Sequence, residues 1–290
     1  YAGFPLWIPL PVAVQHGWSI IATKHEARYN AVENWYWSKN LEQKYQEKFP
    51  ELRTRTTGAP FLYLLRMLNY TQPENKQGSI VFPSHSSKLI EIKCDFTTYA
   101  DLLESLPEDY KPITICMYYL DQERGLDKPF RDKGFEIVNN GNSLYDVSFL
   151  SNFIKNTDGK KYAFSNQMTS ALLFASAMGL KSYFYGPEFE VESADPNYAH
   201  LDYTQHHRQW ESEYAQLFHF PNCALQAQQN FVSEELGESY LLSKQAMKLL
   251  LFRNIFTLEY LIGLLRMSVK LLLGEKFSSS LKNKISALLD

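Results

Sequence analysis

Lys161-Tyr162-Ala163-Phe164-Ser165-Asn166-Gln167-Met168-Thr169-Ser170 is the stretch whose reading decides the fold. Lys161 to Phe164 reads as a buried strand, and the turn after it is rich in hydroxyl and amide side chains. Met168 to Met178 follows as a small-residue helix ended by Gly179, and Lys181 to Tyr185 is the next strand before Gly186-Pro187. Strand, turn, helix and strand in such short order form the βαβ unit of a parallel sheet. The free N–H groups and positive dipole end of the helix converge on the turn, so Ser165, Asn166, Thr169 and Ser170 are candidates for holding an anionic, phosphate-bearing ligand.

Working outward, the same alternation continues upstream. Trp35-Tyr36-Trp37 reads as a strand, Ser38 as a helix cap before Leu41 to Phe49, and Arg53 to Thr57 as a second strand closed by Gly58-Ala59-Pro60. Thr71 to Gly78 is a polar loop. Ser79 to Phe82 is a strand ending at Pro83-Ser84-His85-Ser86-Ser87, and Thr97 caps a helix to Leu106. Strands at Ile113 to Tyr119 and Phe135 to Val138 alternate with helices at Leu126 to Lys133 and Ser143 to Ile154. The expectation is an α/β fold: a Rossmann-like parallel sheet over 33–190, preceded by 1–32 as an arm or the end of an upstream domain. A linker and a helical C-terminal region fill 191–290, with helices at Trp210 to Phe218 and Tyr240 to Leu273.

Bulk properties narrow the partners. The 290 residues are 45% hydrophobic with a net charge of -3, so no global basic field points to nucleic acid. Cys94, Cys116 and Cys223 form no CxxC pair, which fits a reducing cytoplasm better than a disulfide framework, and Cys116 within its strand reads as core. No window has the apolar length of a spanning helix, and Pro5, Pro9 and Pro11 interrupt what would be a signal peptide. The start at Tyr1 rather than Met suggests that further sequence precedes it. Over 240–273 a leucine-rich helix carries Lys248, Arg253, Arg266 and Lys270, a pattern that packs on its own domain or a partner, or lies peripherally on an anionic membrane.

Loops after strands are where an open parallel sheet keeps its chemistry. Val12 to Val14 runs into Gln15-His16-Gly17-Trp18, where His16 is placed to act as a general base. His85 and Ser86 close another strand and can donate hydrogen bonds to a phosphate. Both histidine loops are expected on one side of the same sheet as the Ser165 turn. Asp121-Gln122-Glu123-Arg124 and Asp146 lie near strand ends without metal-site spacing, and His206-His207 reads as linker surface. GxGxxG, Walker and GxSxG signatures are missing from the sequence.

Gln15-His16-Gly17, Gly58-Ala59-Pro60-Phe61, Phe82-Pro83-Ser84-His85-Ser86 and Ser165 to Ser170 occur in the order found in bacterial GT-B-fold transferases of capsule and O-antigen assembly, which the sequence therefore resembles over residues 12 to 187. The resemblance implies the C-terminal, donor-binding half of a glycosyltransferase. It implies a nucleotide-sugar donor as substrate, a glycan or lipid-linked acceptor, no cofactor and no metal, in the cytoplasm or at the inner face of the membrane. His16 would be the base, and His85, Ser86, Ser165, Asn166, Thr169 and Ser170 the donor and phosphate contacts. Glu188 and Glu190 are the candidates for the ribose. A nucleotide-sugar 2-epimerase or polyol-phosphate transferase on the same fold, and a non-catalytic Rossmann-like interaction protein, are the alternatives.

Overall fold

The computed structural model describes residues 1–24, 26–88, 90–143, 146–193, 213–214 and 216–273. They form two compact units, one from Tyr1–Tyr63 and Glu234–Asp290, the other from Leu64–Ser233. The single domain expected over 33–190 is thus divided after Tyr63. The reason lies in β1 (Val12–Val14), β2 (Glu33–Tyr36) and β3 (Thr54–Thr56), which pair in parallel as a sheet of their own. The expected boundary at 33 would have cut between β1 and β2.

In this first unit, Ser38 caps the helix Lys39–Lys48 by accepting from the Leu41 N–H at 3.2 Å, as its sequence position predicts. Tyr36, Leu41, Tyr45 and Leu52 make one core cluster, with Tyr36 and Tyr45 stacked at 4.3 Å between ring centroids. The helix expected over 240–273 is two helices, Lys244–Ile255 and Leu258–Leu273. Thr257 makes the break: its hydroxyl donates to the Asn254 carbonyl at 2.8 Å and accepts from the Tyr260 N–H at 3.3 Å, capping the second helix. Lys244–Ile255 buries Leu251 against Val12 and Trp35. Among the described residues, no helix is long and apolar enough to cross a membrane.

Two buried glutamates brace this sheet. Glu33 accepts from the indole of Trp35 at 2.7 Å and pairs with Arg55 at 2.8 Å; Glu42 accepts from Lys39 and Thr56, both at 2.6 Å. Burial alone would raise both carboxyls, but these donors outweigh it and hold both below the ordinary value of 4.5. Groups depressed in this way stabilise the fold above the unfolded value and cease to do so as pH falls through the folded one. Urea midpoints of the wild type should therefore drop on acidification below pH 4.5, and the drop should be shallower in Glu42→Gln. Identical pH profiles for the two would refute the assignment.

The second unit is built on a five-stranded, all-parallel sheet: β4 (Ser79–Val81), β6 (Ile113–Cys116), β7 (Glu136–Val138), β8 (Tyr162–Ser165) and β9 (Lys181–Phe184), in the order β7-β6-β4-β8-β9. Helices Phe96–Glu104 and Lys128–Asp132 contribute Tyr99, Leu103 and Phe130 to the core that covers Val81, Ile115 and Phe164. Asp95, not Thr97, caps Phe96–Glu104: one carboxylate oxygen accepts from the Thr98 N–H at 2.9 Å. A separate antiparallel pair joins β5 (Ile90–Cys94) to β10 (Phe189–Ser193), and β10 runs across the expected boundary between domain and linker at 190. The expected helix at 143 begins only at Phe149, and Leu225–Glu235 is a helix where none was expected. The expected helix at Trp210 to Phe218 lies partly, and His206-His207 wholly, outside the described residues; 213–214 and 216–218 are helical.

Candidate functional site

Counted among the strands of its own sheet, the second unit has the order 3-2-1-4-5, the order of a Rossmann sheet. The direction of winding reverses between β4 and β8. Ligands of such sheets bind outside the carboxyl ends of the strands at this reversal, because the loops there leave in opposite directions and open a crevice. Here those loops are Phe82 to Ser87 and Ser165 to Thr169.

Three of the expected ligand residues hold these loops together. Asn166 is 1% exposed. Its Oδ1 accepts from the Ser84 N–H at 2.8 Å, and its Nδ2 is directed to Ser84 Oγ at 3.2 Å, the Pro187 carbonyl at 3.1 Å and Cys94 Sγ at 3.5 Å. Burial pushes the Cys94 thiol up to about 11, so the sulfur meets this amide uncharged. Ser165 is fully buried and its hydroxyl accepts from the Gln167 N–H at 3.1 Å. The Ser86 hydroxyl accepts from the Ile92 N–H at 3.1 Å, and its own N–H donates to Asp121 Oδ2 at 3.0 Å. The expectation treated these side chains as ligand contacts. Polar groups this deeply buried must find partners within the protein, and they do.

The other candidates at the reversal are engaged differently. Thr169 precedes the helix Ser170–Ala177 in extended conformation but makes no side-chain cap, and its buried Oγ1 has no hydrogen-bond partner. The first turn of this helix follows β8 across the loop Asn166 to Thr169, with Ser170 half-buried. At the end of β4, His85 is exposed, its Nδ1 3.0 Å from the Ser86 carbonyl and its ring 4.7 Å from that of Tyr118. Asp121 and Arg124 stand beside it. Arg124 directs Nη2 to the Ser87 carbonyl at 3.4 Å and Nη1 to Asp121 Oδ1 at 3.8 Å. An open hollow of about 550 Å³ lies on the Arg124 side, between Ser86 and the Lys93 to Phe96 stretch; His85 and Thr169 are not in its lining. Sequence reading set Asp121 and Arg124 aside because their spacing is not that of a metal site; their position just past the carboxyl end of β6 was the available signal.

His16 belongs to the first unit. It is exposed after β1, in a loop fixed by Gln15, whose Nε2 donates to the Gly17 carbonyl at 2.7 Å and whose Oε1 accepts from the Trp37 N–H at 2.8 Å. A pocket of about 430 Å³ adjoins it, with Glu26, Arg28, Asn34 and Tyr36 in its wall. His16 and His85 therefore follow strands of two different sheets, not of one as expected. Glu188 is exposed just before β10, and Glu190 is exposed within β10 opposite Lys93.

No family model matches the chain, and no curated protein is similar to it. Among solved structures it is similar to the wall teichoic acid polymerase TagF, at 13% identity and a TM-score of 0.36, over 78% of this chain and 58% of that one. A variant of that polymerase gives 15% identity, a TM-score of 0.38 and coverage of 80% and 61%. Another, soaked with CDPG, gives 13%, 0.33, 72% and 58%. The chain thus spans about three fifths of the length of these solved chains. Likeness at this level bears on neither donor nor acceptor.

Proposed function

We propose that the chain binds a nucleotide-activated sugar at the reversal of its five-stranded sheet and transfers the sugar, by a metal-independent reaction, to a bacterial surface-glycan acceptor. The observation that carries the reading is that Asn166 and Ser84 tie together the loops after β4 and β8, the first presenting exposed His85 and the second leading through the unpartnered Thr169 into a helix start with no side-chain cap. Sugar transfer leaves negative charge on the departing phosphate, and groups already aimed at that charge lower the barrier because they need not reorganise. Thr169, the amides of the first helical turn, His85 and the Arg124 guanidinium are such groups. Ser86, Ser165 and Asn166 fix the loops that carry them. Glu188 supplies a carboxylate for a ribose hydroxyl. His16 is the base that takes the proton of the acceptor hydroxyl.

The test is thermal melting with a panel of CMP, CDP, UDP and GDP compounds. A ligand at a hundred times its Kd stabilises the native state by about 2.7 kcal/mol, a rise of several degrees for one nucleotide of the panel. Arg124→Ala and His85→Ala are each expected to weaken that nucleotide's binding about tenfold. His16→Ala should bind it as the wild type does and fail only in turnover. If no nucleotide moves the melting point, the donor site is refuted; if His16→Ala alone abolishes binding, its role as base is refuted.

A further inference from the structure

Buried carboxylates of the first unit are paired: Glu33 meets Arg55, and Glu42 meets Lys39. The pocket of about 430 Å³ beside His16 breaks that pattern. Glu26 is half-buried in its wall and Arg28 is exposed in the same wall, yet among the described residues neither side chain has a hydrogen bond or an ion pair, with the other or with anything else. Tyr36, also in the wall, is 2% exposed, and its hydroxyl has no hydrogen-bond partner. The ring stacked on it is treated differently, since the Tyr45 hydroxyl accepts from the Thr23 N–H at 3.1 Å. Burial first, then the Tyr45 hydroxyl and the carboxylates of Glu26 and Glu42, push the Tyr36 phenol up, so it keeps its proton and can donate.

The main chain beneath these groups is fixed. Arg28 donates its N–H to Asn34 Oδ1 at 3.0 Å and accepts at its carbonyl from Asn34 Nδ2 at 3.1 Å, which ties its loop to β2. The Glu26 N–H donates to Thr23 Oγ1 at 3.4 Å. Open side chains on a fixed backbone are preorganised for a ligand, because little freedom is left to lose on binding. Val14 and Leu10, both exposed, give the wall an aliphatic part. Charge then selects the ligand. A phosphate suits Arg28 and is repelled by Glu26, an ammonium the reverse, whereas a neutral ring of hydroxyls donates to the carboxylate, accepts from the guanidinium and lays its C–H face on aliphatic surface.

We propose that this pocket receives the terminal residue of the acceptor as an uncharged sugar, its hydroxyls spanning Glu26, Arg28 and Tyr36, and that it excludes a phosphate-bearing end. Naming the ligand an acceptor rests on the transfer reaction proposed above, in which His16 is the base; the preference for an uncharged sugar rests on the pocket alone.

Saturation-transfer NMR of the full chain reads the preference, with the methyl glycosides of glucose, galactose, mannose and N-acetylglucosamine set against glucose 6-phosphate and glycerol 3-phosphate. At least one methyl glycoside is expected to bind, and both phosphates to be rejected. Glu26→Gln should weaken that glycoside about tenfold and admit glucose 6-phosphate, because the repelling charge is gone. Tyr36→Phe should weaken it about fivefold and melt no lower than the wild type, since the lost hydroxyl bonds nothing in the protein. A nucleotide that raises the melting point while no glycoside binds, or while the phosphates bind in preference, overturns this inference and leaves the donor site standing. Glycoside binding with no nucleotide shift upholds the pocket and refutes only the transfer reading. A lower melting point for Tyr36→Phe would overturn the role given to its hydroxyl.

Discussion

Asn166→Ala is expected to lower the stability of the second unit by about 3 kcal/mol, because a buried and a partly buried main-chain group lose their partners at once. The Ser84 N–H loses the acceptor at 2.8 Å and the Pro187 carbonyl loses the donor at 3.1 Å. Asn166 is 1% exposed, so water is poorly placed to replace either contact. The backbone around it is equally fixed: a side chain on Gly186, at φ +140°, would sit 2.7 Å from the Asn166 Cβ. Urea unfolding followed by far-UV circular dichroism measures the loss. Asn166→Asp sharpens the comparison: it keeps an acceptor for Ser84, removes the donor to Pro187 and buries a charge, so it too should be destabilised by more than 1 kcal/mol. Were both variants as stable as the wild type and altered only in nucleotide binding, Asn166 would be a ligand contact and not the tie between the loops.

Gly237→Ala is expected to cost the first unit about 4 kcal/mol, combining a left-handed backbone with a main-chain collision. Gly237 has φ +66°, and a Cβ there would lie 1.9 Å from the Trp37 carbonyl oxygen and 3.1 Å from the Gly58 Cα. Neither neighbour can turn aside, since both are backbone. Gly58 faces it at φ +75°, but a Cβ there would meet the tip of the Leu241 side chain at 2.5 Å, which can rotate, and the Gly237 carbonyl oxygen at 2.9 Å, a milder clash than the 1.9 Å at Gly237. Gly58→Ala should therefore lose less than Gly237→Ala. Four of the five tryptophans belong to the first unit, so tryptophan fluorescence follows its unfolding by urea. Equal stability of Gly237→Ala and wild type would mean that the two loops do not meet as closely as described.

Much of the second unit was legible because its signals are local. β4, β6, β7, β8 and β9 each coincide within a few residues with an apolar run bounded by turn residues, and Gly179 ends its helix where the sequence places it. β10 was legible in principle: Phe189-Glu190-Val191-Glu192 alternates strictly, opposite Glu91 to Cys94 of β5. Its acids read as a linker because alternation over four residues is weak until a partner strand is known.

The sequence by itself determined the α/β class, the parallel strands and the loops in which candidate residues fall, since helical and strand periods and turn chemistry act over neighbouring residues. Only the tertiary structure decided that residues 1–63 close a sheet with help from a segment some two hundred residues later, and that His16 and His85 belong to different sheets. It also separated the polar residues spent on holding loops, Ser86, Ser165 and Asn166, from the exposed His85 and from Thr169, whose hydroxyl has no hydrogen-bond partner. That division depends on burial and on partners far apart in the chain, and a side chain's type and position say nothing of whether its hydrogen bonds are already made.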